Sequence, residues 1–203
     1  MRPGRLIRCD TFPCGDVRHD RFEVPSISID AEAISVIMVS EVPPPDPSDG
    51  YYARGDPLFA RTTLQAFRDA GRDVQGMRDV VALGVYLTTA VKCAKQGSSV
   101  SAPTIASCSV LLERELGLFP NTRALLLMGD VAIKAVNAMA RRSGEPRAIP
   151  AGSTYRIRGG DFRFRGARVF PSYLQAGPAF FIESSKRRMI AEDIDAALRF
   201  ADV

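Results

Sequence analysis

Histidine and tryptophan are almost missing from this chain. Its 203 residues include one histidine, His19, and no tryptophan. A lone imidazole excludes a metal site built on several histidines and any relay that needs two imidazoles. No apolar run approaches the roughly 18 residues that a membrane-spanning helix requires. The start, Met1-Arg2-Pro3-Gly4-Arg5-Leu6-Ile7, turns polar again at Arg8, too soon for a signal peptide. A cytoplasmic monomer without membrane contact is the expectation. Internal repeats and low-complexity tracts are also absent. What is present, 46% hydrophobic and 25% charged residues, is the composition of one globular domain over residues 1–203. A chain this long buries enough surface to stand without disulfides.

The formal charge is only +4, but it is unevenly spread. Eight arginines against Glu145 and Asp161 give the stretch from Arg141 to Arg168 a local +6. Such a stretch suits a polyanion, nucleic acid first, or is simply a solvated basic face.

Four apolar runs, Ile34–Val39, Val81–Leu87, Ala124–Met128 and Arg168–Phe170, are continuous rather than alternating. Strands buried on both faces read this way. Helical patterns separate them. Leu64, Phe67 and Ala70 share a face before Gly71, and Ser101-Ala102-Pro103 opens a helix that stops at Gly117. Asp130 is placed to cap a helix through Arg142, and a last helix starts near Ser184 or Ser185. Alternating strands and helices predict an α/β fold of three layers, α/β/α, around a four-stranded parallel sheet. Ligands of such sheets bind beyond the carboxyl ends of the strands. Here those ends carry Ser40-Glu41-Val42-Pro43-Pro44, Thr88-Thr89, Gly129-Asp130 and Pro171-Ser172-Tyr173. A small β-hairpin is expected as well. Thr154–Arg158 and Asp161–Arg165 alternate around Gly159-Gly160, which would set Arg156 opposite Arg163. Like charges directly opposed call for an anion, a nearby carboxylate or plain solvation.

The four cysteines form two pairs, Cys9-x4-Cys14 and Cys93-x14-Cys108. Cys9 and Cys14 lie on an irregular N-terminal segment, residues 1–30. In a cytosolic chain this points to a metal rather than a disulfide. Neither spacing is the close pair usual for zinc, which stays a second choice. Four thiolates without histidine suit a [4Fe–4S] cluster, and four free or buried thiols are the plain alternative.

Several of these residues resemble the iron–sulfur (family 4) branch of the uracil-DNA glycosylase superfamily. Ser40-Glu41-Val42-Pro43-Pro44 is similar to that branch's Gly-Glu-Ala-Pro-Gly motif, and Thr88-Thr89-Ala90-Val91-Lys92-Cys93 to its Thr-Asn-x-x-Lys-Cys strand end. Gly55-Asp56-Pro57-Leu58-Phe59 resembles its Gly-x-Pro-Phe turn, Leu126–Ala132 its third strand with a Gly-x-x-Ala helix start, and Phe170-Pro171-Ser172 its His-Pro-Ser loop. Cys108 falls where its fourth cluster cysteine is expected. The matches run in family order along nearly the whole chain. Departures are equally visible: Phe170 stands for the family histidine, Thr89 for the uracil-reading asparagine, and Pro44 for the second motif glycine. The first cysteine pair is x4, not x2.

The resemblance implies hydrolysis of the N-glycosidic bond of uracil in single- or double-stranded DNA, with the nucleotide flipped out. It implies Glu41 as the carboxylate that orients water and stabilises the cationic sugar. Ser40, Val42, Pro43, Phe59, Thr89 and Ser172 would contact the base, with Tyr51 and Tyr52 as further stacking candidates. Arg156, Arg163, Tyr173, Leu174, Lys186 and Arg187 would hold DNA, Leu174 as a wedge. A [4Fe–4S] cluster would sit on Cys9, Cys14, Cys93 and Cys108. Phe170 cannot donate a hydrogen bond, so the alternatives are a non-catalytic binder of damaged or abasic DNA and a glycosylase for a deaminated purine.

Overall fold

The computed structural model describes residues 1–201. A short helix α1 (Pro3–Leu6) and strand β1 (Val17–Phe22) precede the first central strand, β2 (Val36–Ser40). Helices α2 (Leu58–Asp69) and α3 (Met77–Ala82) then lead to β3 (Val85–Thr89), and a tight loop leads on to β4 (Cys93–Lys95). Next come α4 (Ala102–Leu116), β5 (Ala124–Met128), α5 (Asp130–Arg142) and the short α6 (Thr154–Ile157). The chain ends in β6 (Phe162–Phe164), β7 (Ala167–Ser172), α7 (Ala179–Ile182) and α8 (Ser184–Phe200). No helix among the described residues is long and apolar enough to cross a membrane.

The sheet order is β3-β2-β5-β7-β6. The first four strands are parallel, and β6 adds a fifth, antiparallel edge. Successive side chains of a strand point to opposite faces, and two cores follow from that alternation. Ile37, Val39, Tyr86, Leu125, Leu127 and Val169 pack under α4 and α5. Val36, Met38, Val85, Leu87, Leu126 and Phe170 pack under α2, α3 and α8. The expected three layers are therefore present, with the sheet one strand wider than anticipated.

Three local expectations are corrected. Val81 is helical, and the strand begins only at Val85, after Gly84 turns the chain at φ +74°. Gly129, at φ +102°, occupies the N-cap of α5, and Asp130 is already inside the helix. The hairpin is shifted: Thr154–Ile157 forms a turn of helix, and β6 pairs with β7 around Arg165-Gly166. Both turn residues have positive φ, 49° and 86°, as a two-residue hairpin turn demands. Arg163 faces Arg168 rather than Arg156. A carboxylate relieves that pair, since Asp161 Oδ1 lies 3.2 Å from Arg168 Nε and 3.9 Å from Arg163 Nε.

At the outer edge of the sheet the Tyr52 hydroxyl accepts from Leu87 N–H at 2.9 Å and donates to Leu87 C=O at 3.4 Å. Between β3 and α4 lies a charge pair with no exposure at all: Lys92 Nζ against the Glu115 carboxylate. Glu115 Oε1 also accepts from Tyr86 at 2.6 Å and Thr88 at 2.8 Å. Lys92 Nζ donates to Thr88 Oγ1 at 2.9 Å and Thr89 C=O at 2.5 Å.

Removing one member of a fully buried pair strands the other, so Glu115→Ala should cost about 3–5 kcal/mol of stability. The double variant Lys92→Met/Glu115→Leu, which removes both charges, should unfold much closer to wild type. Urea titration followed by circular dichroism measures both.

Candidate functional site

Strand β2 is followed by β3 on one side and, through α4, by β5 on the other, so the winding of the sheet reverses between β2 and β5. Crevices open at such a switch point. The four strand ends are stitched together there by backbone hydrogen bonds. Ala90 N–H donates to Ser40 C=O at 2.8 Å, Val91 N–H to Glu41 C=O at 3.0 Å, and Gly129 N–H to Ser172 C=O at 3.0 Å. Glu41, half-buried, bridges the crevice: its Oε1 accepts from Val131 N–H in the first turn of α5 at 3.4 Å. Its Oε2 has no partner among the described residues. Gly129 makes room for it, because a Cβ at that position would lie 2.6 Å from Glu41 Oε1.

On the β3 side, where the chain continues from Glu41, is a small pocket walled by Pro43, Pro44, Phe59 and Thr89, and closed by Tyr51, Thr88, Glu23 and Pro25; the Glu41 carboxylate itself faces Gly129 and Val131 on the β5 side. Its volume is about 10 Å³, room for roughly one water. The Tyr51 and Phe59 rings meet at 5.3 Å and 55°. Three of the sequence-derived contacts, Pro43, Phe59 and Thr89, are thus brought together. Val42 packs against the core on the α4–α5 side. The Ser40 hydroxyl is buried and donates to Thr88 C=O at 3.2 Å. Ser172, also buried, donates to Asp193 of α8 at 2.6 Å, and Arg158 holds the other oxygen of Asp193 at 2.8 Å. Burial pushes the Asp193 carboxyl up, and these two partners oppose the shift. Phe170 is buried below the rim, its ring 6.1 Å from Phe200 and under the Arg168 guanidinium at 5.1 Å.

Sequence reasoning did not identify Glu23. It follows β1, and its N–H donates to Lys92 C=O at 2.7 Å, which brings it to the pocket wall. Phe22-Glu23-Val24 has no motif; only the pairing of β1 with β4 places it.

Much of the basic stretch is internally neutralised. Arg142 and Arg165 both bind Glu113, Arg165 also binds Glu145, and Arg158 binds Glu192 and Asp193. Arg187 holds Asp69 with two hydrogen bonds, and Lys186 lies 2.5 Å from Glu183 and 5.5 Å from the Tyr173 ring centre. Among the described residues, Arg156 is exposed without a partner, and Arg163 keeps only the distant Asp161 and the Phe200 ring. Leu174 is 37% exposed.

A separate cavity of about 280 Å³ is ringed by Cys9, Cys14, Cys93 and Cys108, with apolar walls from Phe12, Phe22, Val91 and Leu111. Asp16 anchors its N-terminal wall by accepting from Ser101 N–H at 2.6 Å and from the Thr104 hydroxyl. His19 Nε2–H donates to Cys14 C=O at 2.7 Å. Burial raises the Cys93 thiol to about 12, and the other three thiols add to the effect. Cys14 and Cys108 are pushed up for the same leading reason, against a hydrogen bond from Thr104 at Cys14 and from Lys92 N–H at Cys108. Among the described residues, no group of three or more Cys, His, Asp or Glu side chains is close enough to hold a metal ion.

No family model matches the chain. Over 101 residues it is 34% identical to the type-5 uracil-DNA glycosylase of Thermus thermophilus. That match covers 49% of this chain and 45% of the relative, so the chain spans about half the length of the curated relative it matches. Among solved structures, it is similar to the wild-type UNG of Nitratifractor salsuginis, with 16% identity, a TM-score of 0.38, and coverage of 82% of this chain and 74% of that one.

Gly129→Ala places a methyl against Glu41 in a backbone conformation that suits glycine, so it should lose about 1–3 kcal/mol of stability. In a Glu41→Ala background the steric part disappears and the loss should shrink, which a double-mutant cycle by urea unfolding reads directly.

Proposed function

We propose that this chain is a DNA glycosylase that hydrolyses the N-glycosidic bond of uracil in single- or double-stranded DNA within the cytoplasm. The observation that carries the reading is Glu41. It is a carboxylate at the switch point, held through Oε1 by Val131 N–H and leaving Oε2 free, two residues before the Pro43, Phe59 and Thr89 pocket. The partial match to a relative named as a uracil-DNA glycosylase supports the same chemistry.

Breaking the bond puts positive charge on the sugar and negative charge on the base. Glu41 answers the first need by orienting water and facing the cationic sugar. The second falls to donors other than an imidazole, since Phe170 is a core ring. Ser172 already donates to Asp193 and one Gln175 N–H to Tyr51, which leaves the Val42 N–H, the Tyr173 hydroxyl and the second Gln175 N–H. Lys92 is paired with Glu115 and offers no free amine, so the reaction ends at hydrolysis without strand cleavage. Arg156, Lys186 and Tyr173 hold phosphates, and Leu174 fills the gap left by the flipped base; Arg187 acts through Asp69 instead. Arg163, expected from the sequence to join them, pairs with Arg168 beside Ala124, the first residue of β5, and so lies at the other end of the strands from the rim.

The shared cavity of Cys9, Cys14, Cys93 and Cys108 supports reading it as the seat of a [4Fe–4S] cluster. Four thiols surround one void, and their packing keeps protons on them unless a cationic group shares the space. Bound there, the cluster would tie the N-terminal segment to α4 and β4. Protein purified without oxygen should be brown and contain iron by elemental analysis; colourless, iron-free protein would overturn the cluster.

The core placement of Phe170 and the narrowness of the pocket favour a second reading, a non-catalytic binder of abasic or damaged DNA at the same rim. Incubation with labelled oligonucleotides carrying uracil, hypoxanthine or an abasic site, then alkali and a gel, separates the readings. Uracil release is expected, and release of hypoxanthine alone would move the substrate to a deaminated purine. Glu41→Gln should cut turnover about 10²–10³-fold, as loss of one preorganised electrostatic group does, with DNA affinity equal or higher. Arg156→Ala should flatten the log–log salt dependence of duplex binding by up to about 0.9, the share of one phosphate no longer neutralised. An unchanged slope would make Arg156 an ordinary surface charge.

A further inference from the structure

The polar groups around the small pocket can be sorted by what they already bind. The Thr88 hydroxyl donates to Glu115 and accepts from Lys92. The Tyr51 hydroxyl accepts from Gln175 Nε2 at 3.1 Å. The Thr89 carbonyl is taken by Lys92. Pro25, Pro43 and Pro44 contribute no N–H at all. Two side chains remain without a hydrogen bond among the described residues: the Thr89 hydroxyl and the Glu23 carboxyl.

Of these, only Glu23 presents two oxygens in one plane. Its backbone is fixed by the 2.7 Å bond to Lys92 C=O, and its Oε1 lies where a Cβ on Gly50 would come within 2.9 Å. The Tyr51 and Phe59 rings, packed on each other at 5.3 Å and 55°, form one apolar wall on which a flat ring can lie.

We infer that Glu23 is the specificity-determining residue of this pocket, its carboxyl group making a two-point contact to the adjacent N–H and C=O of an extruded uracil-type ring. This deepens the proposed function and rests on it for the identity of the ligand. A neutral carboxyl has one O–H donor and one carbonyl acceptor, the complement of such an edge. Burial favours that neutral form by raising the Glu23 pKa, while the nearby Lys92 pulls the other way. Entry of a ring requires the surrounding Pro43-Pro44 loop to move outward, because the pocket holds about one water as it stands.

The test uses the full chain and two labelled duplexes, one carrying 2′-fluoro-2′-deoxyuridine, which resists hydrolysis, and one carrying a tetrahydrofuran abasic analogue. Fluorescence anisotropy gives the affinity ratio between them. Wild type should prefer the uridine duplex. Glu23→Ala should reduce that preference about tenfold, in line with loss of hydrogen bonds in a desolvated site, without weakening abasic binding. Glu23→Gln keeps one donor and one acceptor and should stay within about twofold of wild type. If Glu23→Ala does not fold, Gly50→Ala, which pushes on Glu23 Oε1, should lower the same ratio. No preference in wild type, or an unchanged ratio in a folded Glu23→Ala, overturns the inference. Loss of base release with the ratio intact would overturn the hydrolase and leave the role of Glu23 standing.

Discussion

Lys92 connects parts of the molecule that are far apart in sequence. Its ammonium, cut off from water, is held by Glu115, Thr88 and the Thr89 carbonyl. Its N–H donates to Cys108 Sγ at 3.1 Å, and its C=O accepts from Glu23. A buried charge is tolerable only when it is paired and hydrogen-bonded in full. Lys92 is therefore held in one arrangement, and the cysteine cavity, the end of β3 and the pocket wall are positioned by the same residue. A shift of α4, which carries both Glu115 and Cys108, would be felt at Thr89.

That arrangement explains how a chain without the imidazole of the family it resembles can still present an ordered rim. The carboxylate at the switch point is fixed by a backbone N–H, and Gly129 provides the space beside it. The Arg141–Arg168 stretch is less basic than its composition suggests, and Arg142 and Arg165 lie near the amino ends of the strands, away from the rim. Arg142, Arg158 and Arg165 brace α4, α5 and α8 through carboxylates instead of facing solvent alone. DNA contact, as proposed, falls to Arg156 and to the loop and helix start after β7.

The parallel strands could be read from sequence because burial on both faces leaves unbroken apolar runs. Ala124–Met128 has in the structure the bounds its composition suggests, and Ser101 caps α4 as its Ser-Ala-Pro pattern indicates. The hairpin could not. Gly159-Gly160 carries the stronger turn signal, but Arg158 is drawn to Asp193 and Ile157 into the core, so the segment before it coils. Arg165-Gly166 makes the turn instead. Pro43, Phe59 and Thr89, which share the pocket wall, lie in stretches that motifs mark. Glu23 was not, since its place depends on β1 pairing with a three-residue strand too short to leave a periodic signal.

The Tyr52 phenol on β3 has a consequence for assembly. An edge strand offers unpaired N–H and C=O groups to any extended chain, and this is how sheets add foreign strands or aggregate. At Leu87 both groups already bind a hydroxyl belonging to the same molecule. At the opposite edge, β6 is three residues long and bears Arg163, followed at once by Arg165. Neither margin offers a long, neutral ladder, so sheet-to-sheet joining is opposed at both ends.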